Sequence, residues 1–119
     1  MWMYTKHGAF SCVKSRQEPL DGMQVRARHK EYLDDLLDAV DLDLPIISTP
    51  NSDYGFRVIA RPKQWKIISK YLMNSIDYPD FKSHLHNTGF FKNGVEENYD
   101  IYTGAYNSYV RNSDSIYNY

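Results

Sequence analysis

The side chains with the clearest chemical potential in this chain of 119 residues are three arginines on alternating runs. Arg26 and Arg28 stand two apart in Met23-Gln24-Val25-Arg26-Ala27-Arg28, so both project from one face of a strand. Arg57 sits in a second alternating run over 54–60, and Lys6 ends a first run over 2–6. A guanidinium grips phosphate through a planar, two-point contact. An aromatic ring beside it, such as Tyr54, offers a surface on which a base can stack. Lys6, Arg26, Arg28, Tyr54, Arg57 and Lys82 are therefore the candidate ligand-binding residues. The ligand they suit is anionic: a nucleotide or a nucleic acid. The competing reading is structural, with the arginines neutralised by Asp53, Asp77 and an acidic helix.

Other chemistries find less support. His84 and His86 form an HxH pair, but two residues apart on a helix do not share a face. No CxxC or HExxH is present, so no metal site is expected. Ser11, Cys12, His7 and Asp53 are residue types used in nucleophilic catalysis, yet no nucleophile elbow surrounds either Ser11 or Cys12. Cys12 reads as a small core hydrophobe. Neither a Walker A loop nor a GxGxxG is found. No catalytic residue and no cofactor are assigned. A hydrolase or nuclease built on Asp53 and Asp77 ranks last.

Length and composition suit a single globular domain, with 42% hydrophobic and 24% charged residues. Net charge is −1, so any preference for nucleic acid must come from a local patch. The single cysteine leaves no disulfide framework. No apolar run approaches the ~20 residues of a membrane span and nothing reads as a signal peptide. The expected location is the cytoplasm, with no membrane partner.

The elements that must position the arginines follow from periodicity. Strands are expected over 2–6, 9–13, 23–28, 45–49 and 54–60, with a hairpin connection ending at Asp21-Gly22. In the run 54–60, Tyr54 alternates with Phe56, Val58 and Ala60 against Arg57. Tyr32, Leu33, Leu36, Leu37 and Val40 draw the apolar stripe of a helix over 29–40, with Glu31, Asp34, Asp35 and Asp38 opposite. Pro62 opens a second helix whose core stripe is Trp65, Ile68, Leu72 and Ile76, and Asp77 reads as the cap of a further turn. Charge is sorted: from Glu31 to Asp53 all charged residues are acidic, and from Arg57 to Lys70 all are basic. Pairing between the two helices is the simplest account. The expected fold is α+β, an antiparallel sheet of four to five strands with two main helices on one face, partly ferredoxin-like. The domain is expected over 1–90. Residues 91–119, rich in Tyr, Asn and Ser, form an extension.

Four motifs stand in order. They are Trp2-Met3-Tyr4-Thr5-Lys6-His7-Gly8-Ala9-Phe10-Ser11, then Val25-Arg26-Ala27-Arg28, then Asp53-Tyr54-Gly55-Phe56-Arg57, then Ile76-Asp77-Tyr78-Pro79-Asp80-Phe81-Lys82. Together they resemble a family of small uncharacterised bacterial and phage proteins that read W-I-x-T-x-x-G-F-F-S, I-R-A-R, D-Y-x-Y-R and I-D-Y-x-N-F-K. Ala9, Phe56 and Asp80 depart from that pattern. The resemblance implies a short stand-alone cytoplasmic domain, in the host cytoplasm if phage-encoded, and brings no activity. It places Asp53, Asp77, Tyr78 and Phe81 in the motifs beside the cations, as a polar network or part of a site.

A small non-enzymatic binding domain for an anionic ligand is thus the first expectation. The second is a protein-interaction module acting on a host protein through the acidic helix and the tyrosine-rich tail.

Overall fold

The computed structural model describes residues 1–87, with side chains through residue 84. Met1–Asp77 form one compact unit, and a second begins at Tyr78. The composition-based boundary at 90/91 and the tail beyond it lie outside the described residues.

The first unit is an α+β fold. Its elements are β1 (Trp2–Thr5), β2 (Gly8–Lys14), β3 (Met23–Ala27), α1 (Lys30–Val40), β4 (Ile47–Ser48), β5 (Phe56–Ala60) and α2 (Pro62–Asn74). The five strands form one antiparallel sheet in the order β1-β2-β3-β5-β4. The element order βββαββα is not the βαββαβ of a ferredoxin-like unit.

Strand alternation sorts the two faces of the sheet. Cys12, Val25 and Val58 share one cross-strand row. With Phe10, Ala27 and Ala60 they are buried, as are Tyr32, Leu33, Leu36 and Leu37 of α1 and Ile68 and Leu72 of α2. Both helices pack against the sheet and each other. Fully burying a large aliphatic or aromatic side chain stabilises by about 1.5–3 kcal/mol, so this layer dominates stability. The intervening residues, among them Ser11, Gln24, Arg26 and Arg57, point to the opposite face.

Three sequence expectations are corrected. Ile76 does not extend the α2 core stripe. The helix ends at Asn74, the Ser75 hydroxyl donates to the Leu72 carbonyl at 2.6 Å, and Ile76 is 65% exposed. The following helix, α3 (Phe81–Asn87), begins beyond the expected Asp77, and in the second unit Asp80 stands immediately ahead of it, accepting from the Ser83 hydroxyl at 2.5 Å and the Lys82 N–H at 3.2 Å. These bonds hold the Asp80 carboxyl below its usual range. Third, the acidic and basic helices do not pair. Among the described residues the ion pairs are Lys6–Asp77 at 2.6 Å and Lys30–Asp34 at 2.9 Å, the latter within α1.

Backbone geometry closes helix α1 at one end, and a close approach seats it on the sheet. Asp41 takes a left-handed conformation (φ 54°) at its C-terminus, and the Leu42 N–H returns to the Leu37 carbonyl at 3.1 Å. At Gly8, φ is +131°, and an added Cβ would stand 2.6 Å from Cγ of Tyr32. The hairpin bend between β1 and β2 therefore seats α1 directly on the sheet. Gly8→Ala combines backbone strain with overpacking, each about 1–3 kcal/mol. We expect a loss of at least about 2 kcal/mol, measured by urea denaturation, whereas an alanine at the exposed Gln17 changes little.

Candidate functional site

The open face of the sheet carries the arginines. Trp2 pairs with Ser11, Ser11 with Arg26, Arg26 with Arg57 and Arg57 with Ile47, which draws one row across all five strands. Arg26 and Arg57 are thus direct cross-strand neighbours. Like charges in that relation are destabilising, by about 0.2–1 kcal/mol.

Neutral acceptors hold them in place. Arg26 Nη2 donates to Ser11 Oγ at 2.6 Å. Arg57 Nη1 donates to Gln24 Oε1 at 3.0 Å, and its Nη2 to Thr49 Oγ1 and Ser52 Oγ, both at 3.2 Å. Ser11 and Gln24 are buried beneath the two guanidiniums. Among the described residues, no ion pair involves Arg26, Arg28 or Arg57. Hydroxyl and amide oxygens satisfy donors without cancelling charge, so both groups are ordered and remain fully cationic.

Tyr54 completes the arrangement. Arg26 Cζ lies 5.0 Å from the centre of its ring and Arg28 Cζ 4.7 Å. Simple alternation puts Tyr54 on the helix side with Phe56, and here the structure departs from it. Thr49 Oγ1 and Ser52 Oγ both donate to the Tyr54 carbonyl, at 2.8 and 2.6 Å, and the Thr49 N–H donates to the Gly55 carbonyl at 2.7 Å. These bonds hold Tyr54 in the turn, ahead of β5, and its ring meets the arginines. The expected strand over 45–49 is correspondingly reduced to Ile47–Ser48. Tyr4 belongs to the same neighbourhood: burial and the Tyr54 phenol push its own phenol up, against the pull of Arg28.

Two concavities open on this face. One of about 450 Å³ is lined by Trp2, Arg26, Arg28, Ser52, Asp53, Tyr54 and Arg57. The other, about 580 Å³, is lined by residues 13–17 together with Gln24, Arg26 and Arg57. Comparison with known proteins finds no matching family, curated sequence or solved structure. The site is therefore read from its own geometry.

That geometry brings together Arg26, Arg28, Arg57, Tyr54 and Asp53, but not Lys6 or Asp77. Lys6 follows β1 and is paired with Asp77. Beside them, His7 stacks on Tyr71 at 5.0 Å. Burial and Lys6 hold its imidazole below the usual range, against Asp77 and Asp35. Lys82, Tyr78 and Phe81 belong to the second unit, where the Tyr78 ring lies 5.6 Å from Phe81 and 4.8 Å from His84. His84 and His86 both fall in α3. Among the described residues no cluster of His, Cys, Asp or Glu is placed to hold a metal ion.

Sequence reasoning missed Trp2, Lys14 and Arg16. Trp2 is 68% exposed at the end of the arginine row. Its parity with Ser11 across the β1–β2 hairpin was the available signal, but it needed the register. Lys14 and Arg16 flank the buried Ser15, where β2 runs into the hairpin loop.

Cys12 lies buried in the core row of the sheet. Burial pushes its thiol up to about 11, despite the nearby N-terminal ammonium and Arg26, so thiolate is scarce at neutral pH. A thiol whose pKa is raised on folding stabilises below its unfolded value, near 9, and loses that contribution as pH climbs toward 11. Unfolding free energy should fall by about 2–3 kcal/mol more in wild type than in Cys12→Ala between pH 8.5 and 11.

The neutral anchoring of Arg57 has its own consequence. Arg57→Met strands the buried Gln24 amide oxygen, at about 1–3 kcal/mol, more than the relief of repulsion with Arg26 returns. Arg28 is exposed and makes no hydrogen bond or ion pair to a described residue. Its Met variant loses only a cation–π contact of about 0.5–1 kcal/mol. Denaturant melts should separate the two.

Proposed function

We propose that this protein is a small non-enzymatic binding domain whose open sheet face takes a phosphate-bearing anionic ligand, a nucleotide or nucleic acid. One observation carries the reading: Arg26 and Arg57 are paired across neighbouring strands, held by neutral acceptors, with Arg28 beside them and, among the described residues, no carboxylate in ion-pair contact. A purely structural network would gain by placing an acid between them. A structure that keeps mutually repelling, ordered cations is one in which an external anion stabilises the folded state.

The aromatic groups narrow the ligand further. Trp2 and Tyr54 line the same concavity as the three arginines. Flat rings beside guanidiniums suit a base attached to a phosphate better than a bare phosphate. An open antiparallel sheet face is also a surface on which bases stack in known single-strand readers.

A second reading has an observation of its own. Asp34, Asp38 and Asp43 line a groove of about 360 Å³ with Lys30, Leu37, Leu42, Leu44 and Ile46; Asp34 is paired with Lys30, and Asp38 and Asp43 form no ion pair with a described residue. A basic partner segment, such as one on a host protein, fits that groove. The two readings use different faces and separate by mutation.

The test uses fluorescence anisotropy or competition with a panel of nucleotides and labelled single-stranded oligonucleotides at two salt concentrations. Binding should weaken with salt, and Arg28→Glu should weaken it at least about tenfold with only a small shift in the melt, because Arg28 is exposed and its loss costs the fold only the contact with the Tyr54 ring. Asp34→Lys with Asp38→Lys should leave that binding intact. No binding to any member of the panel, or equal binding by Arg28→Glu, overturns the anion reading.

A further inference from the structure

The two concavities are not separate sites. Arg26 and Arg57 line both. The pair is shared by an aromatic hollow and a basic hollow. Adjacent cross-strand rows on one face lie two residues apart, about 7 Å. The row of Trp2, Ser11, Arg26 and Arg57 is followed on the same face by Val13, Gln24 and Ile59. The surface therefore runs continuously from Trp2 and Tyr54, over the arginine pair, to the start of the hairpin loop at 15–17.

The two halves differ in chemistry. The first holds both rings, Trp2 and Tyr54, with Arg28 and one carboxylate, Asp53. The second holds Lys14 and Arg16 and, among the described residues, no aromatic one. Among the described residues, five cations line the surface, Lys14, Arg16, Arg26, Arg28 and Arg57, against the single acid Asp53. This concentration stands out in a chain whose net charge is −1. Lys14 and Arg16 are exposed; the Lys14 ammonium donates to the Asp21 carbonyl at 3.3 Å, and neither residue makes an ion pair with a described residue.

A mononucleotide would fill the aromatic half and reach the arginine pair with its phosphate. It would leave the Lys14–Arg16 half, with a volume of about 580 Å³, unused. We infer that the face binds single-stranded nucleic acid across both halves: one base stacks at Trp2 and Tyr54, its phosphate lies over Arg26 and Arg57, and the next phosphates run toward Lys14 and Arg16. This rests on the anion-binding reading above and extends it to a polymer. Stacking rings combined with a cationic path along the backbone are the two components that sequence-tolerant single-strand binding requires. A duplex keeps its bases stacked on one another, so it cannot use the Trp2–Tyr54 half.

The experiment is a length series. Thymidine monophosphate and 5′-phosphorylated oligothymidylates of increasing length up to six nucleotides compete against a labelled hexamer on the full chain. A blunt duplex of matched length serves as comparison. Affinity should rise at least about tenfold between the mononucleotide and the trimer. Lys14→Glu with Arg16→Glu should remove most of that rise while leaving monophosphate binding unchanged. Trp2→Ala should weaken the mononucleotide and the oligomers alike. A Trp65→Phe background lets Trp2 emission report stacking, with quenching expected on saturation. The inference is overturned if the monophosphate binds as tightly as the trimer, if the double variant weakens both equally or neither, or if the duplex competes as well as the single strand. Those results leave the anion site standing. Failure of every nucleotide to bind removes both.

Discussion

The antiparallel register of β2, β3 and β5 is the constraint on which the rest of this molecule depends. It sets Cys12, Val25 and Val58 in one buried row and Ser11, Arg26 and Arg57 in the next, on the opposite face. Slipping any of these strands by one residue would exchange the two sets, burying guanidiniums under the helices and exposing the core. The hydrophobic layer therefore fixes the arginine row as firmly as it fixes itself. The repulsion between Arg26 and Arg57 is small against that layer. It is tolerated because the buried side chains of α1, α2 and the sheet hold the strands together.

Neutral anchoring is the second element of the design. An arginine that pairs with a carboxylate is ordered but electrostatically spent. One that donates to Ser11, Gln24, Thr49 or Ser52 is ordered and still charged. The turn at 49–55 supplies part of this support and also brings in Tyr54. The same hydroxyls that grip Arg57 also take the Tyr54 carbonyl. One short turn thus decides the placement of both a cation and a ring. The price of this arrangement is visible at Arg57 Nε, which is shut away from solvent with no partner among the described residues.

The charge sorting that dominates the sequence has a lesser role in the fold. The acids of α1 and the lysines of α2 lie on neighbouring packed helices, yet the described ion pairs are Lys6–Asp77 and Lys30–Asp34. Exposed pairs contribute about 0–1 kcal/mol, so there is little energetic pressure to form them. The polarity acts instead as a field over the surface, with the cationic strand face distinct from the acidic groove beside α1.

The sequence alone determined the α+β class, the two amphipathic helices, the strands carrying Arg26 and Arg57, and the shared face of Arg26 and Arg28. Each of these follows from periodicity, which is a local property of the chain. Helix ends were less legible, because at Ser75 and Asp80 one or two side-chain hydrogen bonds decide where the turn stops or starts. Only the tertiary structure decided that Arg26 stands opposite Arg57, that Trp2 closes the same row, and that Tyr54 leaves its alternating position to lie beside the arginines. It also decided that Lys6 turns away to Asp77. Those placements depend on strand register and on hydrogen bonds within a turn, which couple residues 9 to 71 positions apart or break the local period, and no count along the chain records them.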